Sequence, residues 1–229
     1  MRPAFPPLFA GILALSLLLA GCRPDQIEHI ENGKQIATTL ENMTVKRILP
    51  ADFLRATRWA GDSLTGQADR ELRRLLAEQL HKGGVAAALP YCRPEAYAST
   101  DSLARVLLAT PRRFSARPRN PRNQAPLSAA ELQPDTARLI QRPTADVFAY
   151  QRPIVLSDAQ CLRCHGEVGK DIAAADYALI KQQYPQDQAT GYKLGDVMGV
   201  WRVSFARNGI AEFYTMKTRK VMKVRKPLF

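Results

Sequence analysis

Cysteine and histidine are scarce in this chain, with four of one and three of the other among 229 residues. So few cysteines exclude a disulfide scaffold for a protein of this size, and each must be accounted for individually. Acids are also short: 21 Asp and Glu face 33 Lys and Arg, leaving a formal net charge of +12. No apolar run reaches the roughly 20 residues a helix needs to span a bilayer, the longest being Leu8 to Ala20. Internal repeats and low-complexity tracts are missing, and 46% hydrophobic with 24% charged residues excludes a disordered or collagen-like chain. The length allows one comfortable domain or at most two small ones. Neither a carboxylate pair nor a catalytic triad can be picked out, so the chain is not expected to be an enzyme.

What is present begins at the N-terminus. Arg2, the apolar run and Leu19-Ala20-Gly21-Cys22 resemble the signal and lipobox of bacterial lipoproteins. The resemblance implies a signal peptide over residues 1–21 and a diacylglycerol on the sulfur of Cys22. The protein would then be anchored to a lipid bilayer without spanning it, on the periplasmic side of a bacterial membrane. Arg23 stands where an aspartate would favour the inner membrane, which points to the outer one. Residues 22–36 read as a polar tether in which His29 has no assigned role. Residues 37–206 read as the folded domain and 207–229 as a basic tail.

Within the domain, Leu72, Leu75, Leu76 and Leu80 form one apolar stripe, predicting a helix over Gln67 to Lys82 that Gly83-Gly84 ends. His81, in its last turn, suits the negative end of the helix dipole. A second stripe of Val85, Ala88, Leu89, Cys92 and Ala96 places Cys92 on the buried face of a helical segment kinked by Pro90. Pro111 to Pro126 is too rich in proline for a regular helix. Ser128-Ala-Ala-Glu131 reads as a capping box opening a helix toward Ile140. Val147 to Leu156 and Val197 to Phe205 read as strands, Lys170 to Tyr184 as helical, and Gly191 to Gly195 as a turn. Helices interleaved with short strands and no βαβ rhythm argue for an α+β fold.

Cys161-Leu162-Arg163-Cys164-His165 is the spacing of c-type haem attachment. Two thiols separated by two residues reach the two vinyl groups along one edge of the macrocycle, and the adjacent imidazole can ligate the iron. Gly166 leaves room for backbone beside the porphyrin. A redox CxxC would suit a thioredoxin-like βαβ context, which is not seen. Zinc would need a second ligand pair, and a plain disulfide would leave His165 unexplained. Cys92, the only cysteine without a task, is one candidate for the sixth iron position beside Met43, Met198, Met216, His29 and His81, though a buried free cysteine is more often just a small hydrophobe.

Leu89-Pro-Tyr-Cys92-Arg-Pro-Glu-Ala96, Arg119-Asn120-Pro121 with Asn123 and Pro126, the CxxCHG, Tyr184-Pro185-x-Asp187-x-Ala189-x-Gly191-Tyr192 and Gly195-Asp196-x-x-Gly199 follow one another in an order that resembles the Tll-type c-haem-binding PAS-like domains. The resemblance spans most of residues 37–206. It implies an antiparallel sheet flanked by helices with haem c held between, and His/Cys ligation carried by His165 and Cys92. Such domains occur alone or as extracytoplasmic sensor inputs, yet no transmitter domain follows residue 206 here. Pro90, close to Cys92, departs from a regular ligand-bearing helix.

Arg112, Arg113, Arg117, Arg119 and Arg122 crowd one loop, and most of them read as a solvated basic face. Haem propionates favour a guanidinium fork, and Arg119, then Arg117, are the candidates to supply it. The run over residues 217–226 carries six positive charges and no acid, so it suits anionic lipid, an acidic partner protein or plain solvent; an exported lipoprotein is not expected to bind nucleic acid. Two functions follow from this reading: redox or small-gas sensing through a labile Cys92 bond and a signalling partner, or electron transfer with both ligands fixed.

Overall fold

The computed structural model describes residues 32–36, 47–133 and 138–223, with side chains up to residue 216. Cys22, His29 and Met43 lie outside the described residues, as do residues 1–21 and 224–229. The chain divides into two units after Arg47, and of the first only residues 32–36, with a helical turn over 33–36, and Arg47 itself are described.

The second unit opens with helix α1 (Pro50–Ala88). Pro50 occupies the first position, where a missing amide costs nothing, and Asp52 accepts the Leu49 N–H at 3.1 Å. One face is buried at Phe53, Ala56, Thr57, Ala60, Gly61, Leu64, Thr65 and Ala68, a helical spacing carried mostly by small residues. Small side chains bring the helix axis close to whatever lies beneath it. At Gly61 an added Cβ would stand 2.3 Å from the ring of Tyr150, so glycine is required for α1 to lie on the sheet. The predicted stop at Gly83-Gly84 is a break, with Gly84 at φ 64, after which one more turn forms. The helix starts at Pro50, well ahead of the expected Gln67.

Helix α2 (Ala98–Val106) leads into strand β1 (Ala109–Phe114), followed by β2 (Leu139–Gln141), β3 (Val147–Val155) and β4 (Val197–Ala206). Between β3 and β4 come the short helix α3 (Leu162–His165) and helix α4 (Ala174–Gln183), and α5 (Arg207–Lys223) closes the chain. The strands form one antiparallel sheet in the order β1-β4-β3-β2. The result is the expected α+β architecture, an antiparallel sheet flanked by helices. Pro153 is accommodated because β2 pairs β3 only from Ala149 to Gln151, leaving the proline on an edge.

The main core joins the small-residue face of α1 to Phe148, Tyr150, Val203 and Phe205 of the sheet and to Leu107 and Ile210. Ile210 lies within 207–229, the segment read as a basic tail; that segment is helical through Lys223 and buries Ile210 completely. None of the described helices is long and apolar enough to cross a membrane.

The capping box at Ser128 forms, but no helix follows it among the described residues up to 133. Glu131 accepts from the Ser128 N–H at 2.9 Å and from its hydroxyl at 2.8 Å, the chain only turns, and Ile140 lies in β2. Tertiary pairing has overridden the local start signal. Glu131 also receives Arg202 at 2.7 Å and Gln151 at 3.0 Å. The Ser128 backbone bond first, then the Arg202 guanidinium, hold its carboxyl down to about 2. A depressed carboxylate stabilises the fold above its unfolded value of 4.5 and loses that contribution as pH falls toward 2. Glu131→Gln is therefore expected to lower the urea midpoint at pH 7, with the gap to wild type closing between pH 4.5 and pH 2. A gap independent of pH would show that the ion pair contributes nothing.

Candidate functional site

Between the second half of α1, the sheet and the α3 loop lies a cavity of about 470 Å³. Leu72, Leu76 and Leu80 of the predicted apolar stripe line it, so that stripe faces a binding site and not the main core. Cys92, Cys161, Cys164, His165, Arg117 and Arg119 line it as well, together with Met198. His81 is exposed, and neither it nor Met216, which is 38% exposed, reaches the cavity wall.

The attachment motif forms a tight bend. Asp158 caps a 3₁₀ turn (Ala159–Cys161) by accepting the Gln160 N–H at 3.0 Å, and α3 follows directly. The bend is tied to the 189–192 loop by three bonds. Tyr192 N–H donates to His165 O at 2.9 Å, Gly191 N–H to Gly166 O at 2.7 Å, and the third joins His165 Nδ1 to Ala189 O at 2.8 Å. With Nδ1–H donating to that carbonyl, Nε2 keeps its lone pair, the tautomer a metal-ligating imidazole requires. Burial, and then the nearby Arg119 charge, hold the imidazole down to about 3, so it is neutral at any working pH. The need for glycine at 166 comes from Asp171, whose Cβ would lie 2.5 Å from an added Cβ, and whose carboxylate accepts the Glu167 N–H at 2.9 Å.

All three described cysteines are free thiols. Burial pushes Cys161 up to about 11 and raises Cys164 as well, and Cys92 lines the same cavity. Cys92 follows a 3₁₀ turn (Leu89–Tyr91) instead of sitting within a helix, because Pro90, second in that turn, has no amide to continue the α-helical ladder. Val85, Ala88 and Leu89 of its stripe are buried, whereas Ala96 is exposed. Cys92, Cys161, Cys164 and His165 line a cavity without meeting at a point: among the described residues no three of His, Cys, Asp and Glu cluster as a ligand set for a bare ion. That arrangement suits a ligand plane with groups approaching from its edges and faces.

Arg119 is the most enclosed of the loop arginines, its side chain only 9% exposed. Its Nε donates to Asp187 at 3.2 Å, and Nη2 donates to Cys164 O and, at 3.4 Å, to Ala189 O. Its remaining nitrogen, Nη1, is buried with no protein partner, an orphan donor in the wall of a cavity. Arg117 donates to Thr190 O and lies 4.7 Å over the Tyr192 ring. Arg112 and Arg122 are exposed, as a solvated face would be. Arg113 is not: it pairs with Glu95 at 2.8 Å and donates to Cys92 O at 2.9 Å. Sequence reading missed it, because five arginines in one loop are indistinguishable until strand register places them.

Fold and site together define an α+β binding protein with a Cys/His-lined cavity on its sheet. The Tll0287-like family matches over residues 29–206, and the chain belongs to that family. Among solved structures, the crystal structure of the cyanobacterial heme-protein Tll0287 aligns at 22% identity, covering 62% of this chain and 92% of that one, with a TM-score of 0.40. No curated protein matches the chain.

Proposed function

We propose that the protein is a monohaem c protein of the periplasmic side of a bacterial membrane, anchored through lipid on Cys22, that senses redox state or a small gas. Cys161 and Cys164 would hold the haem through thioethers, His165 would ligate the iron through Nε2, and Cys92 would be its second protein ligand. The observation that carries the reading is the convergence of a remote cysteine on the cavity of the CxxCH motif, with His165 already oriented by Ala189 O. The orphan Nη1 of Arg119 fits a propionate carboxylate, and Arg117 stands next to it in the same wall. The cavity volume falls within the range of cofactor sites. When bound, the haem would supply a one-electron couple and an iron able to exchange an axial ligand. The protein's part is to fix one ligand through the 189–192 loop and to carry the other on a segment outside regular structure. Binding and signalling to a partner protein, not turnover, are its expected work.

Absorption spectra of protein matured in a haem-attaching periplasm test this. Covalently retained haem is expected, with ferrous bands that shift on adding CO as Cys92 gives way. Protein without haem would overturn the assignment. Haem whose ferrous bands ignore CO would replace sensing by electron transfer.

A further inference from the structure

Secondary structure does not hold Cys92 in place. It lies just past the 3₁₀ turn at φ −78, ψ 44, with one long backbone bond of 3.3 Å to Leu89 O. What reaches it is Arg113 of β1, which lines the same cavity. The guanidinium Nη2 donates to Cys92 O at 2.9 Å, while Nε stands 2.8 Å from a Glu95 carboxylate oxygen in an ion pair whose N–H is poorly aligned. One side chain thereby grips the segment at two points three residues apart. Arg113 is in turn fixed by the sheet: the β1–β4 register sets it opposite Trp201, and the guanidinium lies 5.8 Å from that ring's centroid. Trp201 is fully buried and its Nε1 donates to Asp69 at 3.1 Å, so the platform beneath the arginine is rigid.

We infer that Arg113 is the positioning residue for Cys92, a clamp whose strength sets how readily the cysteine leaves the iron. This rests on the proposed ligation by Cys92. The planar fork is needed because a carbonyl and a carboxylate must be met together from one stacked group, which a lysine ammonium does not do. A charge-assisted hydrogen bond together with an ion pair amounts to a factor of about ten or more in the opening of the segment. The clamp also ties the Cys92 segment to β1, the outer strand of the sheet, so ligand exchange at the iron would be felt at that edge.

The test has two arms. In full-length Cys161→Ala/Cys164→Ala protein produced in haem-deficient cells, so that neither attached nor loosely bound haem is present, the rate of Cys92 alkylation by iodoacetamide is read by peptide mass. Arg113→Gln is expected to raise it about tenfold or more, with Arg113→Lys giving little rescue. An unchanged rate would overturn the clamp. In haem-loaded protein, Arg113→Gln is expected to speed CO replacement in the ferrous state by a similar factor. If Arg113→Gln does not fold, Glu95→Gln loosens the same grip while leaving the stack on Trp201, and the same outcomes apply. A Cys92→Ser protein with unaltered ferrous spectra would remove the ligation reading, while the alkylation arm would still decide whether Arg113 holds the segment.

Discussion

Replacing both Cys161 and Cys164 by alanine is expected to leave protein from which acidified organic solvent extracts all of the haem, where wild type retains all of it. A thioether is the only link in the proposed site that acid cannot reverse, since protonation frees imidazole and carboxylate alike. Each single variant keeps one thioether and should keep the haem, with an altered ferrous band from the unreacted vinyl group. The cavity itself should survive, because its walls come from α1, the sheet and the 189–192 loop as well as from the motif. Haem resisting extraction in the double variant would place the covalent attachment elsewhere. The measurement separates this attachment from the identity of the sixth ligand, which leaves extraction unaffected.

The largest effect on stability is expected at Asp187. Its side chain is fully buried, and Oδ1 accepts both the Arg119 Nε and, at 3.0 Å, the Ala189 N–H. Ala189 is the residue whose carbonyl orients His165. Asp187→Ala would strand a buried guanidinium charge, costing about 3–5 kcal/mol. At this size that corresponds to a fall in Tm on the order of 10 °C. Removing both partners, Asp187→Ala with Arg119→Leu, is expected to recover a good part of the loss, because no unpaired charge is left behind. Equal losses in the single and double variants would mean that Asp187 acts through the Ala189 turn alone. Urea unfolding of the haem-free protein measures this without interference from the cofactor.

What the sequence disclosed follows from how local each signal was. The CxxCH motif is complete within five residues, and the Gly191-to-Gly195 turn and the two long strands carry their own patterns. The first half of α1 escaped notice because its buried face is Ala56, Thr57, Ala60, Gly61, Thr65 and Ala68, which apolar periodicity hardly registers. The leucine stripe was visible, but periodicity cannot tell a face that packs on a core from one that lines a cavity; Leu72, Leu76 and Leu80 do the second. Strand β1 was hidden by its composition, Ala-Thr-Pro-Arg-Arg-Phe, which has little β-propensity of its own and owes its conformation to pairing with β4. The same pairing separates Arg113 from Arg112, since adjacent strand residues point to opposite faces. Arg119 was singled out by the motif around it, and its enclosure follows from contacts with Asp187, 68 positions away. The Ser128 box illustrates the reverse case, a correct local bond pattern that a distant strand prevents from propagating.

The break at Gly83-Gly84 has a mechanical meaning. A continuous helix is stiff in torsion and would deliver any displacement of residue 92 along its axis to the N-terminal end of α1, which rests on the core. Two successive residues outside helical dihedrals, one of them at φ 64, act as a universal joint in that shaft. The turn that leads to Cys92 is therefore not a rigid continuation of the core-facing half of α1, and its direction is set by its own contacts. One load path runs sideways, through the Arg113 guanidinium into the border of the sheet.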